Sequence, residues 1–210
     1  MIDRHLLPVQ KTILAVPARF LAATGLTADQ LTLAGFGFAV LSVGALAMGW
    51  FAVGLVLFLF NRLLDGLDGA LARATTPTDR GAFIDIAADF LTYALIPLGF
   101  ALADPAANAF AAAVLITSFV GTGSSFLAFA SIAARRGMTA TDYPAKSIYY
   151  LGGLTEGTET IACFILMFLY PAWFSTLAWV FALMCFVTTA LRWHMGWTAF
   201  AKSNSAERRE

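Results

Sequence analysis

The sequence predicts an all-α, polytopic membrane protein with six transmembrane helices and an N-terminal interfacial amphipathic helix. Three observations predict this class. The first is composition: 60% of the 210 residues are hydrophobic and 12% are charged, about half the charged share of a soluble domain. The second is a set of six apolar stretches, each near the roughly twenty residues that a spanning helix needs. The third is the placement of Lys and Arg, which keep to alternate connections between those stretches.

Taken in order, residues 1–24 mix Arg4, Lys11 and Arg19 with Leu, Val, Ile and Phe, the pattern of a helix lying along an interface. Asp3, Arg4 and Pro8 interrupt any early apolar run, so a cleavable signal is not expected there. The spans are read at 31–48, 51–72, 82–103, 107–134, 148–169 and 173–190, within a region 31–200. Gly49, Pro105 and Pro171 punctuate three of the connections. Arg73 and Arg80 flank the connection between the second and third spans. Arg135, Arg136 and Lys146 lie between the fourth and fifth, and Arg192, Lys202, Arg208 and Arg209 come late in the chain. The three opposite connections hold neither Lys nor Arg. Both termini are therefore expected in the cytoplasm, and Arg62 alone falls well inside a span. Tyr149, Tyr150, Trp173, Trp179, Trp193 and Trp197 cluster near span ends as interfacial anchors. Residues 1–201 read as a single membrane domain and 202–210 as a polar tail. Cys163 and Cys185 lie in apolar segments without metal-ligand spacing and read as small core residues.

Four aspartates break this apolar background: Asp65, Asp68, Asp85 and Asp89. With a rise of about 1.5 Å per residue, Asp65 lies eight residues before Arg73 and Asp89 eight after Gly81, so both sit roughly 12 Å into their helices. Asp68 and Asp85 sit roughly 6–8 Å in. The two helices run antiparallel, so the acids meet at matched depths on the cytoplasmic side. Asp65 and Asp68 are spaced i,i+3, and Asp85 and Asp89 i,i+4, so each pair shares a helix face. Four carboxylates this close need cations, and hard oxygen donors select Mg²⁺, Mn²⁺ or Ca²⁺. A pair of such metals would hold a diphosphate. Gly66, Gly69 and Gly81 leave room for a ligand beside the backbone, and Arg73 can fork onto phosphate oxygens. Pairing of the acids with Arg62, Arg73 and Arg80 is the structural alternative.

The run Asp65-x2-Asp68-Gly69-x2-Ala72-Arg73-x7-Gly81-x3-Asp85-x3-Asp89 resembles the signature of the CDP-alcohol phosphotransferase family. Each fixed position is matched, with an Arg-to-Gly spacer of seven residues rather than the common eight. The likeness is to small members in the bacterial inner membrane. It implies transfer of a substituted phosphate, phosphatidyl for a donor such as CDP-diacylglycerol, to an alcohol, with release of CMP in phospholipid biosynthesis. It further implies that Asp65, Asp68 and Asp85 bind two Mg²⁺ or Mn²⁺ ions, and that Asp89 both ligates a metal and acts as general base. Gly69, Ala72, Arg73 and Gly81 are placed against the CDP donor, with the Thr78 hydroxyl beside them. Thr27 and Asp29 match a cytidine-contacting position, or cap a helix. The resemblance also implies a homodimer; membrane lipids are expected partners and nucleic acid is not.

The acceptor site is read from fewer residues. Lys146 and Arg192 either bind a phosphate or anchor helix ends at the interface. Glu156 and Glu159 fall in the fifth predicted span at i,i+3. They either recognise hydroxyl or ammonium groups of the acceptor, or form an internal ion pair or hydrogen bond, with Arg62 or Arg192 as partners. An amino alcohol such as serine would suit the scarcity of basic residues in the fourth span. Two other classes compete. A divalent-cation transporter would use the same acids as its path but place them nearer the midplane, and a non-catalytic membrane partner would merely keep the fold.

Overall fold

A computed structural model describes the chain over residues 3–138 and 154–201. Among the described residues there are seven α-helices: α1 (Asp3–Ala23), α2 (Ala28–Ala47), α3 (Phe51–Ala74), α4 (Asp79–Ala103), α5 (Pro105–Arg135), α6 (Gly157–Leu169) and α7 (Phe174–Ala201). A 3-10 turn, Pro171–Trp173, leads into α7. Lys146, Tyr149, Tyr150 and the tail 202–210 lie outside the described residues.

The protein is all-α and polytopic. Among the described residues, four helices are long and apolar enough to cross a membrane: α2, α4, α5, and α7 with its leading turn. Helix α3 has 24 residues, but Arg62, Asp65, Asp68 and Arg73 crowd it from its middle onward. Helix α6 has 13 described residues. Val40, Phe60, Phe110 and Leu183 are exposed on their helices, as side chains facing lipid rather than water would be.

Local chemistry sets the helix boundaries. Thr27 caps α2: its Oγ1 accepts from the Gln30 N–H at 3.3 Å, and its own N–H donates to Gln30 Oε1 at 3.0 Å. This reciprocal box satisfies two donors that a bare helix start leaves open. At the far end, Gly49 takes φ +76°. The Trp50 N–H reaches Ala45 O and the Gly49 N–H reaches Leu46 O, each at 2.8 Å. Only glycine adopts that left-handed cap without strain. Thr78 caps α4 through the Gly81 N–H at 3.0 Å. Asp104 caps α5 through the Ala107 N–H at 3.1 Å, with Pro105 at the first helical position.

Helix α2 packs against α3 and α4, α4 against α5, and α5 against α7, while α1 lies on α3. The principal core gathers at one end of this bundle. It joins Leu46 at the end of α2, Phe58 early in α3, Phe100 late in α4, Leu115 early in α5, Phe168 late in α6 and Phe174 at the start of α7. Phe100 stacks on Phe174 with centroids 4.5 Å apart, and Phe58 meets Phe164 edge-on at 5.8 Å. Cys163 and Cys185 join this core as small apolar residues. The opposite end, where α2 and α4 begin and α3 ends, is left for polar side chains. Helix α1 covers it in part: Leu14, Leu21 and Ala22 pack on Leu31, Leu67 and Leu71. Ile13, Val16 and Phe20 point away and are exposed.

Candidate active site

Helices α3 and α4 present their acids to one another. Asp65 interacts electrostatically with Asp89 and Asp68, Asp68 with Asp85 and Asp89, and Asp85 with Asp89. Their surroundings divide them by depth. Asp68 and Asp85 line a cleft of about 590 Å³ with Thr27, Asp29, Gly69, Ala72, Arg73, Thr78 and Gly81. Asp65 and Asp89 lie in a tight polar space with Asn61, Arg62 and Thr92, and Asp68 and Thr32 border both regions.

Each acid has a defined neighbour. Asp68 is buried, and its Oδ2 accepts from Thr32 Oγ1 at 2.5 Å. That bond ties α2 to α3 across 36 residues of sequence. Arg62 Nη1 stands 2.8 Å from Asp89 Oδ1 and 3.7 Å from Asp65 Oδ2. Asp89 Oδ1 is buried and finds no aligned hydrogen-bond donor among the described residues, so its contact with Arg62 is an ion pair only.

The rim of the cleft is built by the helix ends. Asp29 is held by Arg80, whose Nε donates to its Oδ2 at 2.8 Å. A Cβ on Gly81 would stand 2.9 Å from Asp29 Oδ1 and 3.0 Å from Thr78 Oγ1, so only glycine lets these three groups meet. Arg73, exposed in the last turn of α3, folds back over Gly69: a Cβ there would lie 3.2 Å from Arg73 Nη1.

The glutamates require a correction. They were expected inside a span over 148–169, but the described helix α6 starts at Gly157. Glu156 is its extended cap, and Glu159 lies in its first turn, with Oε2 accepting the Glu156 N–H at 3.2 Å. Arg62 pairs with the aspartates rather than with these glutamates. Arg192 is electrostatically coupled to Glu156, donates to Thr122 O at 3.0 Å and lies over the Phe126 ring at 5.8 Å. Lys146 lies outside the described residues. Thr27 and Asp29 both line the cleft, the first as a helix cap and the second in its pair with Arg80. Thr32 and Asn61 were not singled out from sequence. Their polarity inside apolar runs was the available signal.

A divalent metal suits the chemistry of the donor set: four hard carboxylates that interact with one another across α3 and α4. Among the described residues no three acids stand arranged as ready metal ligands. Arg62 is the cation beside the inner pair.

The fold and site are those of a polytopic α-helical membrane protein whose α3 and α4 bring carboxylates together beside a polar cleft at their ends. The chain belongs to the CDP-alcohol phosphatidyltransferase family, whose profile matches residues 25–201, and is an enzyme of that family. It is 52% identical over 208 residues to inner membrane protein YnjF of Escherichia coli (strain K12), covering 99% of this chain and all of that one. Its fold resembles that of phosphatidylinositol phosphate synthase from Mycobacterium tuberculosis. The structure of that enzyme with CDP-DAG bound gives a TM-score of 0.65 at 24% identity, covering 89% of this chain and 94% of that one. Its complex with manganese and citrate gives 0.63 at 24% identity, covering 88% and 89%. At these identities the likeness is one of fold.

Proposed function

We propose that this protein transfers a substituted phosphate from a CDP-linked lipid donor such as CDP-diacylglycerol to a small alcohol, releasing CMP. The observation that carries this reading is the junction at Asp68, where the acid cluster opens directly into the cleft lined by Gly69, Ala72, Arg73, Thr78 and Gly81. A cytidine diphosphate held against those residues would bring its phosphates beside the acids. Asp65, Asp68, Asp85 and Asp89 are the residues that would hold divalent ions, Mg²⁺ or Mn²⁺. The chemistry such ions supply is neutralisation of the diphosphate and of the leaving CMP.

The chain's own residues do the rest. Arg73 forks onto phosphate oxygens at the rim. The Thr78 hydroxyl, exposed beside Gly81, hydrogen-bonds the donor. Arg80 holds Asp29 in place, and Thr27 fixes the start of α2 beside them. The Asp89 side chain is 34% exposed although Oδ1 is buried, so its remaining oxygen can take a proton from an incoming hydroxyl. The acceptor oxygen bonds to the lipid-linked phosphorus, the bond from that phosphorus to the CMP oxygen breaks, and the hydroxyl proton passes to Asp89.

Six spans with the site toward the cytoplasm are the topology this reading adopts, supported by the basic residues at one set of connections. The exposed Ile13, Val16 and Phe20 on α1 suit a helix lying in the interface. Glu156 at the start of α6 and Arg192 on α7 interact as opposite charges, which suits an acceptor with both an ammonium and a carboxylate, such as serine. The test is CMP release by purified protein in detergent with CDP-diacylglycerol, Mg²⁺ or Mn²⁺, and a panel of free and phosphorylated alcohols. Acceptor- and metal-dependent release, lost in Asp89→Asn, supports the reading. Release only with phosphorylated acceptors removes the amino-alcohol assignment, and no release with any acceptor removes the donor assignment.

A further inference from the structure

Arg62 lies about three turns before the end of α3 and has no part in the transfer described above. Its side chain is 9% exposed, and a buried guanidinium needs compensation on every side. The structure supplies it. Nη1 meets Asp89 Oδ1 at 2.8 Å and Asp65 Oδ2 at 3.7 Å. Nε donates to Asn61 Oδ1 at 2.7 Å, and Asn61 Nδ2 donates in turn to Gly35 O at 2.9 Å. The Tyr93 and Phe58 rings wall the group at 5.6 and 5.9 Å. Arg62 is thus anchored from behind to α2 and α3 and presses its charged edge against the inner acids of α3 and α4.

The consequence follows from charge. Two facing carboxylates repel, and one fixed cation between them relieves that repulsion. The outer acid Asp68 instead receives a neutral hydroxyl, from Thr32, and Asp85 feels Arg62 without a direct ion pair among the described residues. Resting on the metal reading of the site, we infer that Arg62 is a built-in counter-cation. It positions Asp65 and Asp89 before a divalent ion binds and competes with that ion for their oxygens. It is a positioning residue, and it sets the metal affinity of the cluster. A lysine would keep the charge but lose the Nε anchor to Asn61.

Mn²⁺ binding measured by electron paramagnetic resonance, and melting in EDTA and in saturating Mn²⁺, test this on the full-length protein in detergent. Arg62→Met is expected to bind Mn²⁺ at least about tenfold more tightly than wild type, since its charge no longer opposes the ion. It is also expected to melt lower in EDTA and to recover when Mn²⁺ is added. Arg62→Lys should restore much of the melting in EDTA. If Arg62→Met does not fold, Asn61→Ser keeps the charge but frees its anchor, and tighter Mn²⁺ binding is expected there too. Wild-type affinity and wild-type melting in Arg62→Met, or unchanged affinity in Asn61→Ser, would overturn the inference and leave the metal reading standing. Absence of Mn²⁺ binding in wild type and every variant would remove the metal reading and this inference with it.

Discussion

In the proposed mechanism Asp89 takes the acceptor's proton, and its replacement tests that role. Asp89→Asn keeps the shape but cannot accept the proton. CMP release should fall by about 10²–10⁴-fold, while CDP-donor binding, measured by calorimetry, persists. Thr32 makes a different prediction. Its hydroxyl donates to buried Asp68 at 2.5 Å, and Thr32→Val removes that donor with little change in volume. The expected cost is about 1.5–3 kcal/mol, the range for a hydrogen bond to a charged group, read as a lower melting temperature in EDTA. Gly81 is constrained by space. The 2.9 Å approach of a Cβ to Asp29 Oδ1 means that Gly81→Ala must displace Asp29 or Thr78. KM for the CDP donor should rise with little change in melting temperature; an unchanged KM would show that the rim does not touch the donor.

At the scale of helices, the fold divides labour between its two ends. The aromatic cluster around Phe58, Phe100, Phe164 and Phe174 joins α3, α4, α6 and α7 at one end, and α2 packs against both α3 and α4, so the acids of α3 and α4 meet at the other end. In lipid such contacts act through close fit more than through water exclusion. Gly99 tests this. Its Cβ would lie 2.7 Å from Leu46 Cδ1 and 3.4 Å from Val43 Cα, so Gly99→Ala forces α2 from α4. The expected cost is about 1–3 kcal/mol for overpacking, seen as reduced melting, together with loss of CMP release although no site residue is touched.

The same scale shows what the sequence could and could not reveal. Helices α2, α4 and α5 were legible because long apolar runs have no other stable form in lipid. The pairing of acids by depth was legible because i,i+3 and i,i+4 spacing and a short connection are local facts. Thr32 with Asp68 and Asp29 with Arg80 join residues 36 and 51 apart, a separation no local pattern encodes. The start of α6 was missed because its cap is Glu156, outside the usual Ser, Thr, Asp and Asn set. The apolar residues around it then read as one continuous span.

At the scale of the molecule, the proposed topology places the acid cluster and both termini in the cytoplasm. A cysteine scan tests it in a background with Cys163 and Cys185 replaced by serine. Ala106→Cys, in the first turn of α5, should react with a membrane-impermeant maleimide in intact cells. Ala134→Cys, at the end of α5, should react only after permeabilisation. The reverse pattern would turn the site to the outside, away from cytoplasmic nucleotides.

The central claim is that the phosphate linked to the lipid moves to an alcohol while the cytidine keeps its own. Donor labelled with ³²P at the lipid-side phosphate tests this directly, with purified protein, divalent metal and the acceptor panel. The predicted result is label in a new lipid carrying the acceptor, beside unlabelled CMP. Label released as a water-soluble phosphate, or retained wholly in the donor with every acceptor, would contradict it.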